Sequence, residues 1–185
     1  SDNCRVIWKR LDVVGHDACR IALKDGTWHI DGTAVFAHAE GPARLAYRVQ
    51  CSADWTTQSA EVEGWVGARD LRLAIERDDA GRWMLDRTPR PDLDGFSDVD
   101  LGFTPATNTN AIRRMDLEIG GEAQTTAAWL DTDDWTIKGL PQIYRRDGRD
   151  TFAYASPTHD YHAMLHIDTF GIVTDYPGLW RTERC

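Results

Sequence analysis

Apolar and polar residues alternate with a period of two along much of this chain. Leu45, Tyr47, Val49 and Cys51 interleave with Ala46, Arg48 and Gln50. Leu71, Leu73 and Ile75 interleave with Arg72 and Ala74, and Met115, Leu117 and Ile119 with Asp116 and Glu118. Successive side chains of a strand point to opposite faces, so each run predicts a strand with one face in a core and the other in water. Turn signals separate the runs at Asp25-Gly26, Gly41-Pro42, Ala80-Gly81, Gly120-Gly121, Asp147-Gly148 and Phe170-Gly171. Asp-Gly and Gly-Gly supply the positive φ that tight hairpins require. No long window carries a convincing helical stripe, and the best candidate, Ala53 to Glu63, has only scattered apolar positions. The expected fold is all-β, with about 14–15 strands in curved antiparallel sheets and little or no helix. Two turn-rich stretches, Arg87 to Gly95 and Thr104 to Asn110, read as ordered loops.

A long internal repeat overlies this pattern. Trp28, Ile30, Gly32, Gly41, Ala46, Tyr47, Gly64 and Val66 are each repeated 107 positions later, at Trp135, Ile137, Gly139, Gly148, Ala153, Tyr154, Gly171 and Val173. Phe36, Leu45 and Trp65 align with apolar Ile143, Phe152 and Ile172 at the same offset. The expectation is a duplicated β unit. The whole chain, 1–185, would be a single domain made of two pseudo-repeats, about 1–95 and 96–185.

Composition narrows the partners. The chain has 185 residues and a formal net charge of −9, an acidic balance that argues against nucleic acid or an anionic membrane as the main partner. No stretch is apolar for long enough to cross a bilayer as a helix. The start of the sequence has no basic-then-apolar signal pattern, and Cys4, Cys19, Cys51 and Cys185 have no metal-type spacing. Both features point to a cytoplasmic protein with free thiols. The eight Trp are many for this length, and suit either the filling of a curved sheet or the lining of a ligand site.

The chemistry-bearing segment lies between the copies. In Asp98-Val99-Asp100-Leu101-Gly102-Phe103 the two carboxylates share one strand face. Extending the strand parity to Arg113 sets it on the apolar face of Met115, Leu117 and Ile119. A buried guanidinium needs a partner, and Asp98 or Asp100 is the nearest by motif. The cluster reads either as an ion pair fastening the copies or as a polar group at a pocket mouth.

The run Asp98-Val99-Asp100-Leu101, Phe103-Thr104-Pro105-Ala106-Thr107-Asn108-Thr109 and Ile112-Arg113-Arg114 resembles the signature of the glycolipid-binding family, formerly a bacterial domain of unknown function. Agreement extends along nearly the whole chain: Trp8 with Arg10, Cys19, Gly32, Tyr47, Cys51 with Trp55, Gly81 with Trp83, Ala127-Ala128-Trp129, Gln142 with Tyr144, and Tyr176 to Trp180. One departure is Asn110-Ala111, where the family carries Leu-Pro, which implies a less rigid loop. The resemblance implies a tandem-duplicated spiral β-roll. By analogy with the lipoprotein-localisation factors, whose curved sheets shelter acyl chains, it also implies an amphiphilic ligand.

Other chemistry is weakly represented. His159, His162 and His166 have a spacing that would suit zinc on a helix, but the neighbouring alternation makes this a strand, so no metal is expected. Ser156, His159 and Asp160 are sequence neighbours without a nucleophile elbow. Asp98 and Asp100 would stand roughly 7 Å apart, a spacing compatible with an inverting glycosidase. Ion pairing to arginine would, however, remove the acid such a mechanism needs. No nucleotide motif is present and no cofactor is expected. The leading expectation is a non-enzymatic binding protein for a small amphiphile. Trp55, Trp129, Tyr144 and Tyr154 would line the groove, and Asp98, Asp100, Asn108, Thr109, Arg113 and Arg114 would hold the headgroup. The alternatives are an enzyme acting on lipid or sugar through the Asp/Arg cluster, and a scaffold with a packed interior.

Overall fold

The computed structural model describes residues 2–184. Eight strands come first: β1 (Asn3–Arg10), β2 (Gly15–Lys24), β3 (Thr27–His38), β4 (Gly41–Cys51), β5 (Thr57–Val66), β6 (Arg69–Arg77), β7 (Trp83–Leu85) and β8 (Thr88–Pro89). The central segment holds β9 (Asp98–Leu101) and one helix, α1 (Asn108–Met115). The remainder is β10 (Glu122–Asp131), β11 (Thr136–Arg146), β12 (Thr151–Ser156), β13 (Tyr161–Ile167), β14 (Val173–Tyr176) and β15 (Trp180–Glu183). All fifteen strands belong to one unclosed sheet, in the order β8 to β1, then β15 back to β9. Every pairing is antiparallel except that of β9 with β10. The segment Trp28–Val66 covers β3, β4 and β5 as a meander, and Trp135–Val173 covers β11, β12 and β13 as another.

The alternation lands as expected in most strands. Leu45, Tyr47, Val49 and Cys51 are buried, as are Leu71 and Ile75, while Arg48 and Arg72 face water. Tyr161 to Ile167 is a strand with His162 and His166 exposed. The candidate helix Ala53 to Glu63 is instead a turn followed by β5.

The strand expected through Arg113, Met115, Leu117 and Ile119 is absent. Arg113 and Met115 lie in α1, Asp116 ends it in the left-handed region at φ 45°, and Ile119 is 62% exposed. The reason is position. From Val99 to Ile112 the chain enters the concave side of the sheet, and nearly every residue is buried. Beyond β9 the buried backbone pairs with no strand among the described residues, and a helix supplies its own hydrogen bonds. This plug passes from β9 through a short turn at Pro105–Thr107, where the Thr104 hydroxyl accepts from the Ala106 amide, into α1.

The polar residues of the plug are tied to the sheet around it. Thr104 and Tyr47 both donate to the carboxylate of buried Asp17 on β2. Thr107 accepts from the Leu101 amide, Asn108 donates to the Tyr144 hydroxyl, and Thr109 donates to the Gly171 carbonyl. The Ser97 carbonyl, just before β9, accepts from the Thr57 amide, and the Val99 amide donates to Thr57 Oγ1. Both halves of the sheet therefore close on one central segment.

Candidate functional site

The two arginines of α1 leave the helix on different sides. Arg114 forms a bidentate pair with Asp98, at 2.9 and 2.8 Å, and also donates to Thr125. Asp98 is 1% exposed, and its hydrogen bonds raise the Arg114 pKa further above its ordinary value. The partner expected for Arg113 thus belongs to Arg114. A helix advances about 100° per residue, so Arg113 and Met115 do not share a face as strand parity had implied.

Arg113 has no carboxylate within ion-pair distance among the described residues. Its guanidinium lies over three aromatic rings, 4.9 Å from Trp55, 5.4 Å from Trp28 and 4.5 Å from Phe170. Its Nη1 donates to the Phe170 carbonyl at 2.6 Å, while its Nε is buried without a partner. Burial pulls its pKa down, although Asp116 and Asp168 oppose this. Trp28 and Trp55 stack on each other at 4.3 Å, and both meet Phe170 edge-on. Trp55 reaches this position with φ 71°, in a tight turn before β5.

This cage forms one wall of a groove of about 530 Å³. Phe170 is partly exposed in it, with Ile112, Phe152 and Ile167 buried behind, and Arg146 faces the same space. Arg146 donates to the carbonyls of Leu117, Gly148 and Arg149 and lies over Phe152 at 5.7 Å. Gly171, at φ 101°, leaves room for Arg113, since a Cβ there would stand 3.3 Å from Arg113 Cγ.

The other expected site residues divide among three places. Arg114 borders a second groove of about 510 Å³, with Phe96, Met115, Pro141 and Gln142. Asp100 accepts from Gln142 at 2.7 Å, and Gln142 also donates to the Tyr154 hydroxyl. Burial raises the Asp100 pKa to about 6, against the opposing effect of the Gln142 hydrogen bond. Tyr144, Tyr154, Asn108 and Thr109 are buried, with the hydrogen bonds given above. Trp129 is only partly buried and meets His159 edge-on at 5.2 Å. Trp55 and Arg113 are therefore the two expected residues that share the first groove. Arg146, Phe152 and Phe170 were missed there. Phe152 aligns with Leu45 in the repeat and reads as core, which its 1% exposure bears out, and nothing in strand alternation brings Arg146 beside α1. A further groove of about 710 Å³, between Trp83, Met84, Pro89 and Pro91, contains none of the expected residues.

Cys4, Cys19 and Cys51 are free thiols, and Cys185 lies outside the described residues. No helix among the described residues is long and apolar enough to cross a membrane.

A single curved, unclosed β-sheet packed around a buried plug, with a groove beside it, defines an all-β class of curved-sheet proteins. Within that class the chain belongs to the family described as "Putative glycolipid-binding", which it matches over residues 5–182. It is also similar to the crystal structure of a DUF1089 family protein from Pseudomonas aeruginosa, with 28% identity and a TM-score of 0.79, over 89% of this chain and 90% of that one. No curated protein matches the sequence.

Proposed function

We propose that this protein binds a small amphiphile, with the Trp55–Arg113 groove as its seat. The observation that carries this reading is the make-up of that groove. Phe170 offers apolar surface over the buried Ile112, Phe152 and Ile167, and Arg113 and Arg146 place polar donors beside it. Ligand sites commonly combine apolar walls with a few oriented polar groups. A volume of about 530 Å³ is within the range of small-molecule sites. The family's glycolipid-binding description agrees with an apolar tail and a polar head. In this reading Asp98, Asp100, Asn108, Thr109, Tyr144 and Tyr154 shape the site from behind, by holding the plug and α1 in position.

The same reading takes the sheet as two copies of one β unit sharing a central plug. The ligand then lies where α1 meets the second copy. Native mass spectrometry of protein purified from its own host, with solvent extraction of bound material, tests the function. A bound lipid or glycolipid is expected, and its release should change the fluorescence of Trp28 and Trp55. Protein that is recovered bare and shows no fluorescence response to alkyl glycosides or fatty acids refutes the proposal.

A further inference from the structure

We propose that the groove selects an amphiphile whose head carries anionic oxygens, such as a carboxylate, sulfate or phosphate, and that Arg113 and Arg146 recognise it. This rests on the amphiphile reading and adds the chemical class of the head. A neutral sugar would be held through hydroxyls, and carboxylates and amides are the usual partners for those. Here the donors facing the groove include two guanidiniums that no carboxylate neutralises. Arg113 is held by aromatic faces and one carbonyl, and Arg146 by three carbonyls and one ring. Carbonyls and ring faces orient a guanidinium but leave its charge uncompensated.

No acid on the same rim forms an ion pair with Arg113 or Arg146, although Asp116 and Asp168 act on Arg113 at longer range. Asp168 Oδ1 accepts three backbone amides, from Phe170, Gly171 and Ile172, and so folds the loop that carries the cage. Asp116 is exposed at the end of α1, and Asp150 is exposed and 4.0 Å from Arg149. Arg113, Arg146 and Arg149 balance these three acids within the groove, while the chain as a whole carries −9. The groove is locally balanced on an acidic protein, and its guanidiniums at Arg113 and Arg146 form no ion pair among the described residues, so an anion there meets no net local repulsion. Arg113 Nη1 is taken by the Phe170 carbonyl and its Nε is buried, so Nη2 is the nitrogen left to a ligand. Guanidinium forks match two-oxygen acceptors, which favours carboxylate or phosphate over hydroxyl.

The test compares heads on one tail. Fluorescence of the Trp28–Trp55 pair is followed in the wild-type protein during titration with dodecyl phosphate, with dodecyl maltoside, both below micelle formation, and with inorganic phosphate. Dodecyl phosphate is expected to bind about tenfold or more tightly than the maltoside, a difference of about 1.4 kcal/mol. That gap should shrink between about 50 mM and about 500 mM salt, as screening of a charge contact requires. Arg113→Met should abolish it, and Arg146→Met, which leaves the aromatic cage intact, should reduce it. Equal binding of the two detergents without salt dependence overturns the anionic head and leaves amphiphile binding standing. Failure of both detergents to bind overturns amphiphile binding itself. Inorganic phosphate binding as tightly as dodecyl phosphate overturns the lipid source and leaves a site for a free anion.

Discussion

Arg113 and Arg114 are adjacent in sequence and on one helix, yet they end in opposite circumstances. On the plug side, Arg114 and Asp98 satisfy each other, and polar residues from Asp17 to Thr109 are bound to protein groups. On the groove side, Arg113 and Arg146 keep their charge against rings and carbonyls. The contrast shows how one short helix can serve two purposes. The face where charge is consumed internally secures the fold. The face where charge is left over is available to a ligand. Residue type alone does not tell these roles apart; the partners do.

The sharpest way to break the contrast is Arg114→Met. It leaves buried Asp98 unpaired, and the expected loss is about 3–5 kcal/mol in chemical denaturation, the range for removing one partner of a buried pair. A loss below about 1 kcal/mol would mean that the plug side is no more committed than the groove side.

A second test on the plug side uses pH. Burial raises the Asp17 pKa to about 7, with the hydrogen bonds from Thr104 and Tyr47 opposing. An acid whose folded pKa lies above its unfolded value favours the fold most below the unfolded pKa, near 4, and loses that contribution as pH rises through 7. Wild type should therefore lose stability relative to Asp17→Asn between about pH 4 and pH 8, by on the order of 3–4 kcal/mol. The measurement is a series of urea unfolding curves for the two proteins across that range. Parallel curves would show that Asp17 is not a buried proton-holding group.

Arg113→Met should cost less, about 1–2 kcal/mol. It loses one carbonyl hydrogen bond and the ring contacts, while the Met side chain still fills the cage. The headgroup selectivity described above should disappear with it. Gly171→Ala should show a similar cost, because an L side chain is strained at φ 101° and would press on Arg113. A stability loss as large as that of Arg114→Met would make the groove arginine a structural element.

The smallest effect has the opposite sign. Asn110 is fully buried in the plug, its Nδ2 reaches the Val99 carbonyl at only 3.4 Å, and its Oδ1 has no partner among the described residues. Asn110→Leu should stabilise by about 1 kcal/mol, since an unsatisfied buried amide is replaced by an apolar group of similar size. Thermal unfolding reads this directly, and a destabilised variant would mean that the weak Asn110 bond matters.

Strand content and the main buried faces were legible in the sequence, because alternation and turn residues act locally. What misled was parity. Met115, Leu117 and Ile119 alternate as a strand would, but beyond β9 the buried segment pairs with no strand among the described residues, so Asn108 to Met115 coil into a helix and Arg113 and Arg114 exchange roles. The gathering of Trp28, Trp55, Phe170 and Arg113 depends on a contact between α1 and loops and strands from both halves of the sheet. No local pattern encodes such a contact.

The pairing of β1 with β15 has a kinetic meaning. Ile7 to Arg10 meet Trp180 to Glu183, so the outer edge of the first strand stays unpaired until almost the whole chain has been synthesised. The hairpins from β2 to β6 can form early, because each joins near neighbours, but the seam unites the most distant parts of the chain. Such long-range closure makes folding slow relative to domains built from local contacts. Until it happens, a nascent chain exposes a strand edge able to pair with another copy, and chaperone demand during synthesis should peak in that interval.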